Sequence, residues 1–219
     1  MAVSDGETIT VLKDMGLVTN VFDEASLACL GGHLAIGHTR YSTAGPSTWH
    51  SAQPVYRPVG KAGFALGHNG NLTNTDVLAD EVGMLPGMIA SDSDLVAELI
   101  FKRYEARGAE ASLEQVLIEV LDSLEGGFSF VLMDSGSLIG VRDPNGLRPL
   151  CLGQLPTGWV LASESPAVEV IGARFVRELL PIRLTVHWNA QRTAHSFVRS
   201  KSVYLLGGPP VPHPNVGEG

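Results

Sequence analysis

The chain has 219 residues, 44% of them hydrophobic, with 15 basic and 23 acidic side chains and a formal net charge of −8 at pH 7. This length and apolar content are sufficient for one domain with a substantial buried core. The acidic balance argues against nonspecific binding to nucleic acid or to anionic membranes, and no apolar run approaches the roughly twenty residues of a membrane span.

Short strands alternate with a few helices along the chain. The clearest helix is predicted over residues 112–125, where leucines and valines recur at the helical repeat. Ser112 and Gln115 form a capping box at its start, and the glycines at 126 and 127 close its end. Hairpins beside helices indicate an α+β fold with antiparallel sheets. The predicted strands are residues 8–12, 34–38, 63–67, 128–133, 137–141 and 159–162.

A polar run with one arginine follows the second predicted strand. Residues 37–45 read GHTRYSTAG, so Arg40 lies where the strand ends, among hydroxyl side chains and before a glycine. Arginine can hold a carboxylate through two parallel N–H···O bonds. We therefore predict that Arg40 binds a carboxylate.

A second polar run, GHNGNL at residues 67–72, follows the strand predicted at 63–67. Asparagine and glycine accept positive φ and let backbone N–H groups turn outward. The side chain of Asn69 and the N–H of Gly70 would then supply two donors to a developing oxyanion. The alternative is an ordinary Asn-Gly turn between two strands.

Two aspartates precede the apolar segment at residues 95–104. Ser91 with Asp94 resembles a capping box, whereas Asp92 is available to face a cation such as an α-ammonium group. An arginine for a carboxylate, an aspartate for an ammonium and an oxyanion pair together describe an amino-acid substrate whose carbonyl is attacked. Spacing along the sequence leaves open whether these residues share one pocket.

Residues 142–150 read RDPNGLRPL. We interpret this run as a structural turn between two strands, because proline presets φ and Asn-Gly supplies positive φ. Arg142 and Arg148 could instead face the rim of a pocket or a partner domain.

The two cysteines have no metal-binding or disulfide pattern. Cys29 is predicted to be a small apolar residue on the buried face of a short helix that ends at glycines, and Cys151 to lie in the core on a strand. Unpatterned cysteines fit a reducing compartment, and residues 1–10 lack the basic start and apolar centre of a signal peptide. We therefore expect a cytoplasmic protein.

Four motifs together resemble the glutaminase half of the amidophosphoribosyltransferase family. Other class II amidotransferases share the Arg, Asn-Gly and Asp elements, but the run at 142–150 and ASES at 162–165 favour this family. The resemblance extends from about residue 3 to residue 181. The motifs are HTRYST at 38–43, HNGNL at 68–72, SDSD at 91–94 and RDPNGLRPL at 142–150.

Carried over to the matching positions, the resemblance assigns Arg40 to the α-carboxylate of glutamine and Asp92 to its α-ammonium group. Asn69 and Gly70 would form the oxyanion hole. The resemblance also implies a four-layer α/β/β/α sandwich of the N-terminal nucleophile type, and assembly into homo-oligomers. The activity it implies is glutamine-dependent formation of 5-phosphoribosylamine from phosphoribosylpyrophosphate, in de novo purine (IMP) biosynthesis.

The sequence also departs from the family. The family's nucleophile is the N-terminal cysteine of the mature chain, activated by its own α-amino group. Here residues 1–6 read MAVSDG and match the family past its first strand and helix, and neither Cys29 nor Cys151 matches a catalytic position. We therefore expect a sandwich without its first strand, and a chain that alone has neither glutaminase nor transferase activity.

Residues 182–219 lose the family pattern, have no Asp or Glu through residue 217 and end in a Pro/Gly-rich run. We predict a partial amidotransferase domain over residues 1–181, and a divergent tail over 182–219 that is disordered or frame-shifted; a lineage-specific tail that binds an acidic partner is the alternative. No phosphoribosylpyrophosphate loop is found, so the family's magnesium has no expected site. The cysteines that hold an iron–sulfur cluster in some members have no counterpart, so we expect no cofactor on this chain.

Two other functions remain open at this point. One is another class II amidotransferase. The other is a catalytically dead glutamine-binding or regulatory module that assembles with an intact homologue.

Overall fold

The computed structural model describes residues 1–40, 48–84, 89–108, 111–179, 184–189, 192–199 and 202–206, the last three ranges through their backbone. The first strands are β1 (Ala2–Ser4), β2 (Ile9–Val11), β3 (Leu34–Ile36), β4 (Val55–Arg57), β5 (Phe64–Leu72), β6 (Gly126–Met133) and β7 (Ser137–Arg142). The later strands are β8 (Cys151–Leu155), β9 (Gly158–Ala162), β10 (Arg174–Glu178), β11 (Leu184–Asn189), β12 (Arg192–Arg199) and β13 (Ser202–Leu206). The helices are α1 (Val18–Val21), α2 (Glu24–Ala28), α3 (Thr75–Val82), α4 (Asp92–Arg107), α5 (Leu113–Leu121) and α6 (Ser165–Val170), with a 3-10 turn at Trp49–Ser51.

The main sheet has seven strands in the order β13-β12-β11-β7-β6-β5-β4, and every neighbouring pair in it is antiparallel. Two smaller antiparallel sheets, β2-β1-β3 and β10-β8-β9, have three strands each. Consecutive hairpins join most of these strands, as the turn signals in the sequence predict.

The main sheet lies between helices and the smaller sheets, because its strands alternate apolar side chains between two faces. Phe64, Leu66 and Phe130 belong to the face that packs against α3, α4 and α5. Ala65 and Met133 belong to the other face, which packs against sheet β2-β1-β3.

Sheet β10-β8-β9 is also covered on both faces. On one face, Leu152 belongs to an apolar cluster that includes Val131 of the main sheet. On the other face, Cys151 belongs to a cluster that includes Val168 of α6. The layers are therefore helices, main sheet, smaller sheets and helix, and the predicted α/β/β/α sandwich is confirmed.

The structure places a strand at each of the six predicted positions, and one of these strands extends well beyond its predicted end. The strand predicted at 63–67 continues as β5 through Leu72, so residues 67–72 do not form the Asn-Gly turn that was the alternative. The reason is the long ladder with β6, which pairs Ala65 with Met133 at one end and Leu72 with Gly126 at the other.

The helix predicted at 112–125 is shorter than expected. Its capping box is confirmed, because the Ser112 Oγ accepts from the Gln115 N–H and the Gln115 Oε1 accepts from the Ser112 N–H, both at 3.2 Å. The helix ends at Leu121, since β6 must begin at Gly126 to pair with the end of β5.

Part of the predicted tail adds strands β11, β12 and β13 to the edge of the main sheet, where β11 pairs with β7. Residues 207–219 lie outside the described residues. The boundary at residue 181 and the origin of the tail stay predictions.

A turn organised by Asp143 leads from β7 to β8. Asp143 is completely buried, and its carboxylate accepts N–H groups from Phe128, Asn145, Leu147 and Arg148 at 3.3, 2.9, 3.1 and 3.0 Å. The structural interpretation of residues 142–150 is confirmed.

The buried Arg142 side chain holds the same turn from inside. Its Nε donates to the carbonyl of Arg148 at 2.6 Å, one Nη donates to the carbonyl of Gly146 at 2.8 Å, and the other donates to the carbonyl of Leu179. The same guanidinium lies 2.8 Å from Glu178. Arg142 therefore joins the turn to the end of β10, whereas Arg148 is exposed.

We expect Asp143→Ala to lower the free energy of unfolding by about 2–4 kcal/mol, because it leaves several buried N–H groups without an acceptor. Urea denaturation at neutral pH measures this loss. The control is Asp80→Ala at an exposed position of α3, which should change the free energy by less than about 0.5 kcal/mol. Equal losses in the two variants would contradict the role assigned to Asp143.

Candidate functional site

In its second half, β5 is paired with a strand on one side only. Its other edge contacts side chains. β4 pairs with β5 only from Phe64 to Leu66. Beyond that point the N–H of His68 donates to the Gln53 Oε1 at 2.7 Å, and the carbonyl of His68 accepts from the His38 Nε2 at 3.0 Å. We call residues 68–72 along this edge the open edge of β5.

Gly70 belongs to the open edge of β5. The N–H of Leu72 donates to the Asp92 Oδ2 at 3.2 Å, so the N–H groups of His68 and Leu72 both point away from β6. Alternate residues of a strand direct their N–H groups to the same side, and the N–H of Gly70 therefore points to the open edge as well. Asn69 is half-buried beside it.

Residue 70 has to be glycine for two reasons. Its φ is +147°, which L side chains rarely adopt, and a Cβ there would collide with the backbone of Gly127 on β6. The sequence reasoning expected positive φ in this motif because of its asparagines and glycines; of the motif's residues, Gly70 has a positive φ.

The imidazole of His68 connects β5 to the start of α4. It is buried, its Nδ1 lies 3.1 Å from the Ser93 Oγ and 3.6 Å from the Asp92 Oδ1, and its ring packs edge-on against Phe130. Among the described residues its Nε2 has no hydrogen-bond partner. One side chain therefore connects the predicted oxyanion donors to the predicted ammonium ligand.

Asp92 is the first residue of α4. Besides the Leu72 N–H it accepts the Ser93 N–H at 2.8 Å, and its side chain is 19% exposed. Burial alone would raise the pKa of Asp92, but the hydrogen bond and charge of His68, with the two N–H donors, lower the pKa below its ordinary value. Asp92 is therefore held as a carboxylate with part of its surface open to a ligand.

Ser91 caps α4 by accepting the Asp94 N–H at 3.2 Å, as predicted. The Asp94 carboxylate, however, pairs with Arg57 of β4 at 2.6 Å, and the same arginine contacts Glu98 at 3.1 Å. These ion pairs attach the first turns of α4 to the strand next to β5.

Arg40 lies at the end of the segment that follows β3. It is half-buried and lines a cavity of about 310 Å³ together with Lys13, His38 and Gln53. The Lys13 ammonium donates to the carbonyl of Ala52 at 2.9 Å. Two cationic side chains thus line one small cavity, which suits a carboxylate ligand. The rest of the first motif, residues 41–43, lies outside the described residues.

His38, two residues before Arg40, contacts the open edge of β5. Because its Nε2 contacts a carbonyl, Nε2 carries the proton and the buried Nδ1 has no partner among the described residues. Burial lowers the pKa of His38; the bond to the His68 carbonyl acts in the opposite direction, and the charges of His68 and Arg40 lower the pKa further.

The structure therefore places three of the predicted site residues, Asn69, Gly70 and Asp92, around His68, and connects Arg40 to His68 through His38. Asn69 and Gly70 follow His68 on β5, Asp92 contacts its ring, and Arg40 follows the histidine that binds its carbonyl. Sequence reasoning assigned no role to His38, Gln53, His68 or Ser93. The histidines could have been found from their places in the two motifs, but nothing in the sequence distinguishes Gln53.

Neither cysteine lines the cavity beside Arg40. Cys29 follows α2 and is exposed, so its predicted burial was wrong; α2 has five residues and buries none of them. Cys151 is buried in β8 as predicted, where burial raises the pKa of its thiol.

Two features are absent from the described part of the chain. No group of three His, Cys, Asp or Glu side chains there is arranged to hold a metal ion. No helix in it has the length and apolar content needed to cross a membrane.

A larger cavity of about 440 Å³, at the opposite end of β5, is lined by none of the predicted site residues.

Residues 38–170 match the family described as glutamine amidotransferase domain, and the chain belongs to that family. It is similar to amidophosphoribosyltransferases in particular. It is 46% identical to that of Mycobacterium leprae over 190 residues, which cover 83% of this chain and 33% of the relative. It is 36% identical to that of Bacillus subtilis over 184 residues, which cover 83% of this chain and 38% of the relative.

A solved structure supports the same assignment. The B. subtilis glutamine phosphoribosylpyrophosphate amidotransferase complexed with ADP and GMP superposes with a TM-score of 0.77 at 33% identity, over 91% of this chain and 42% of the other. The resemblance to the amidophosphoribosyltransferase family is confirmed. The chain spans about a third of the length of these curated relatives.

We expect the stability of the protein to fall as the pH drops below about 6.5, because the unfolded His38 takes up a proton that the folded one resists. His38→Gln keeps an N–H donor for the His68 carbonyl but cannot titrate. The free energy of unfolding, measured with urea at pH of about 7.5 and about 5.5, should therefore decrease less in this variant than in the wild type.

The exposed His33 supplies the control. His33→Gln should keep the pH dependence of the wild type. If His38→Gln keeps it as well, His38 does not cause the pH dependence.

Proposed function

We propose that this chain binds L-glutamine at the open edge of β5 and is the glutaminase part of an amidophosphoribosyltransferase. The observation that carries the proposal is the convergence of three chain segments on His68. Its carbonyl binds His38 beside Arg40, its ring contacts Asp92, and Asn69 and Gly70 follow it on the strand. The groups that we propose to bind the ammonium and the oxyanion thus lie around one residue, and the proposed carboxylate-binding arginine is two residues from the histidine that contacts it.

Each group has a distinct part in binding. Arg40, with Lys13 nearby, would hold the α-carboxylate by charge-assisted hydrogen bonds. Asp92 would hold the α-ammonium group, and its lowered pKa keeps it ionised at neutral pH. With both groups on its α-carbon held, the amino acid would direct its carboxamide along β5.

The side chain of Asn69 and the N–H of Gly70 would stabilise the oxygen of the carboxamide when a nucleophile attacks its carbon. Such preorganised donors are worth the most where charge develops in the transition state. In the reaction that the family implies, a cysteine thiolate forms a γ-glutamyl thioester and releases ammonia, and water then releases glutamate.

In the complete protein the ammonia would displace pyrophosphate from phosphoribosylpyrophosphate and give 5-phosphoribosylamine for purine synthesis. Homo-oligomeric assembly and a cytoplasmic location belong to the same proposal. No cofactor is expected on this chain, and the phosphoribosyl transfer would need residues beyond those that bind glutamine.

We expect Asp92→Asn to raise the Kd for L-glutamine about tenfold or more, because it removes the charge that faces the α-ammonium group. Isothermal titration calorimetry with the whole chain measures Kd. The same variant should bind 4-carbamoylbutanoate, which lacks the ammonium group, as the wild type does.

Arg40→Lys completes this test. It should weaken the binding of both ligands, since both carry the carboxylate that a guanidinium holds through two bonds. Arg174→Lys, at an exposed position of β10, is the matched control and should leave both Kd values unchanged. Wild-type chain that binds neither ligand would overturn the proposed function.

We expect no glutamate release from glutamine by this chain alone, because neither cysteine lines the cavity beside Arg40 and neither matches the family's catalytic position. An enzyme-coupled glutamate assay measures the release, with Cys29→Ala and Cys151→Ala variants alongside. Binding without release is the result expected of a glutamine-binding module as well as of a glutaminase part. Release that disappears in one of the variants would identify that cysteine as the nucleophile and contradict the assignment.

A further inference from the structure

Gln53 bridges the two structural elements that carry the proposed glutamine ligands. Its Oε1 accepts the N–H of His68 on β5 at 2.7 Å, and its Nε2 donates to the Ser93 Oγ on α4 at 3.0 Å. The residue itself is half-buried. Both ends of one amide are therefore used, one on the strand and the other on the helix.

Each contact lies one residue from a proposed ligand. His68 precedes Asn69 and Gly70, the oxyanion donors, and Ser93 follows Asp92, the ammonium ligand. The Ser93 Oγ also lies 3.1 Å from the His68 Nδ1, so Gln53, Ser93 and His68 form a closed loop of hydrogen bonds.

We propose that Gln53 is a positioning residue, which fixes the distance between the oxyanion donors on β5 and the carboxylate of Asp92. This inference deepens the proposed function and rests on it. The side chain of Gln53 takes the place of a neighbouring strand. It accepts the His68 N–H, which would pair with the backbone of β4 if β4 began before Val55. Its amide is occupied by protein groups, so its effect on glutamine passes through its neighbours.

L-Glutamine would contact both Asp92 and the oxyanion donors, so its binding is sensitive to that distance. 4-Carbamoylbutanoate has no ammonium group for Asp92 to bind, so its binding is less sensitive to it. Gln53→Met removes both hydrogen bonds at nearly constant side-chain length. We expect the Kd for L-glutamine to rise about tenfold and the Kd for 4-carbamoylbutanoate to rise less than about threefold. Gln115→Met, at an exposed position of α5, is the matched control and should change neither value.

Ser93→Ala provides a second variant if Gln53→Met does not fold. It removes the hydroxyl that accepts the hydrogen bond from the Gln53 Nε2, and it leaves the hydrogen bond between Gln53 and β5 intact. It should cause the same selective loss of affinity for L-glutamine. An equal loss for both ligands, or no loss in either variant, would overturn the positioning role.

Hydrogen exchange separates this inference from the proposed function. The His68 amide should exchange at least about tenfold faster in Gln53→Met than in the wild type, since the acceptor is gone. If the wild type binds no glutamine, the proposed function fails and the positioning role fails with it, even where the amide responds. If the wild type binds but the amide exchange is unchanged, the inference alone is overturned.

Discussion

The site depends on the point where β5 is no longer paired with β4. β4 ends its pairing at Leu66, but β5 continues to Leu72 along β6. The backbone groups left on the open edge of β5 are partly buried, and an unpaired buried group costs about 1–3 kcal/mol. Side chains from three other segments pair with them: His38, Gln53 and Asp92. The need to satisfy one strand edge thus brings the site residues together.

The helix that supplies Asp92 is fixed by charges on its other side. Arg57 of β4 contacts both Asp94 and Glu98, so the strand that ends early also holds the first turns of α4. These side chains are about four-fifths buried, and partly buried pairs are screened less by salt than exposed pairs. The position of Asp92 therefore depends on an ion-pair cluster that other residues of α4 form with β4.

The polar network around His68 requires specific hydrogen-bond partners, which an apolar core does not. Its members are mutually dependent, because each side chain satisfies a donor or acceptor of another. Two ring nitrogens, the Nδ1 of His38 and the Nε2 of His68, have no partner among the described residues. Burial without a partner disfavours a second proton on His38, and this makes the network sensitive to pH.

Local patterns in the amino-acid sequence were enough to predict candidate site residues and the general class of the fold. Arg40, Asn69, Gly70 and Asp92 were predicted because a guanidinium, an amide beside a glycine and a carboxylate have few common roles when each follows a strand or begins a helix. The strands predicted at 63–67 and 128–133 and the capping box at Ser112 rest on local signals, and the structure has all three. Local signals are sufficient to predict a structural feature when the contacts that form it lie within a few residues in the sequence.

The tertiary structure determines how these groups meet. It extended β5 through the Asn-Gly motif, because pairing with β6 outweighs the local preference for a turn. It left Cys29 exposed, because α2 is too short to bury a face. It gave Gln53 its two partners, which lie 15 and 40 residues further along the chain. Contacts of that range follow from the packing of strands and helices, and for this reason no pattern in the sequence reveals them.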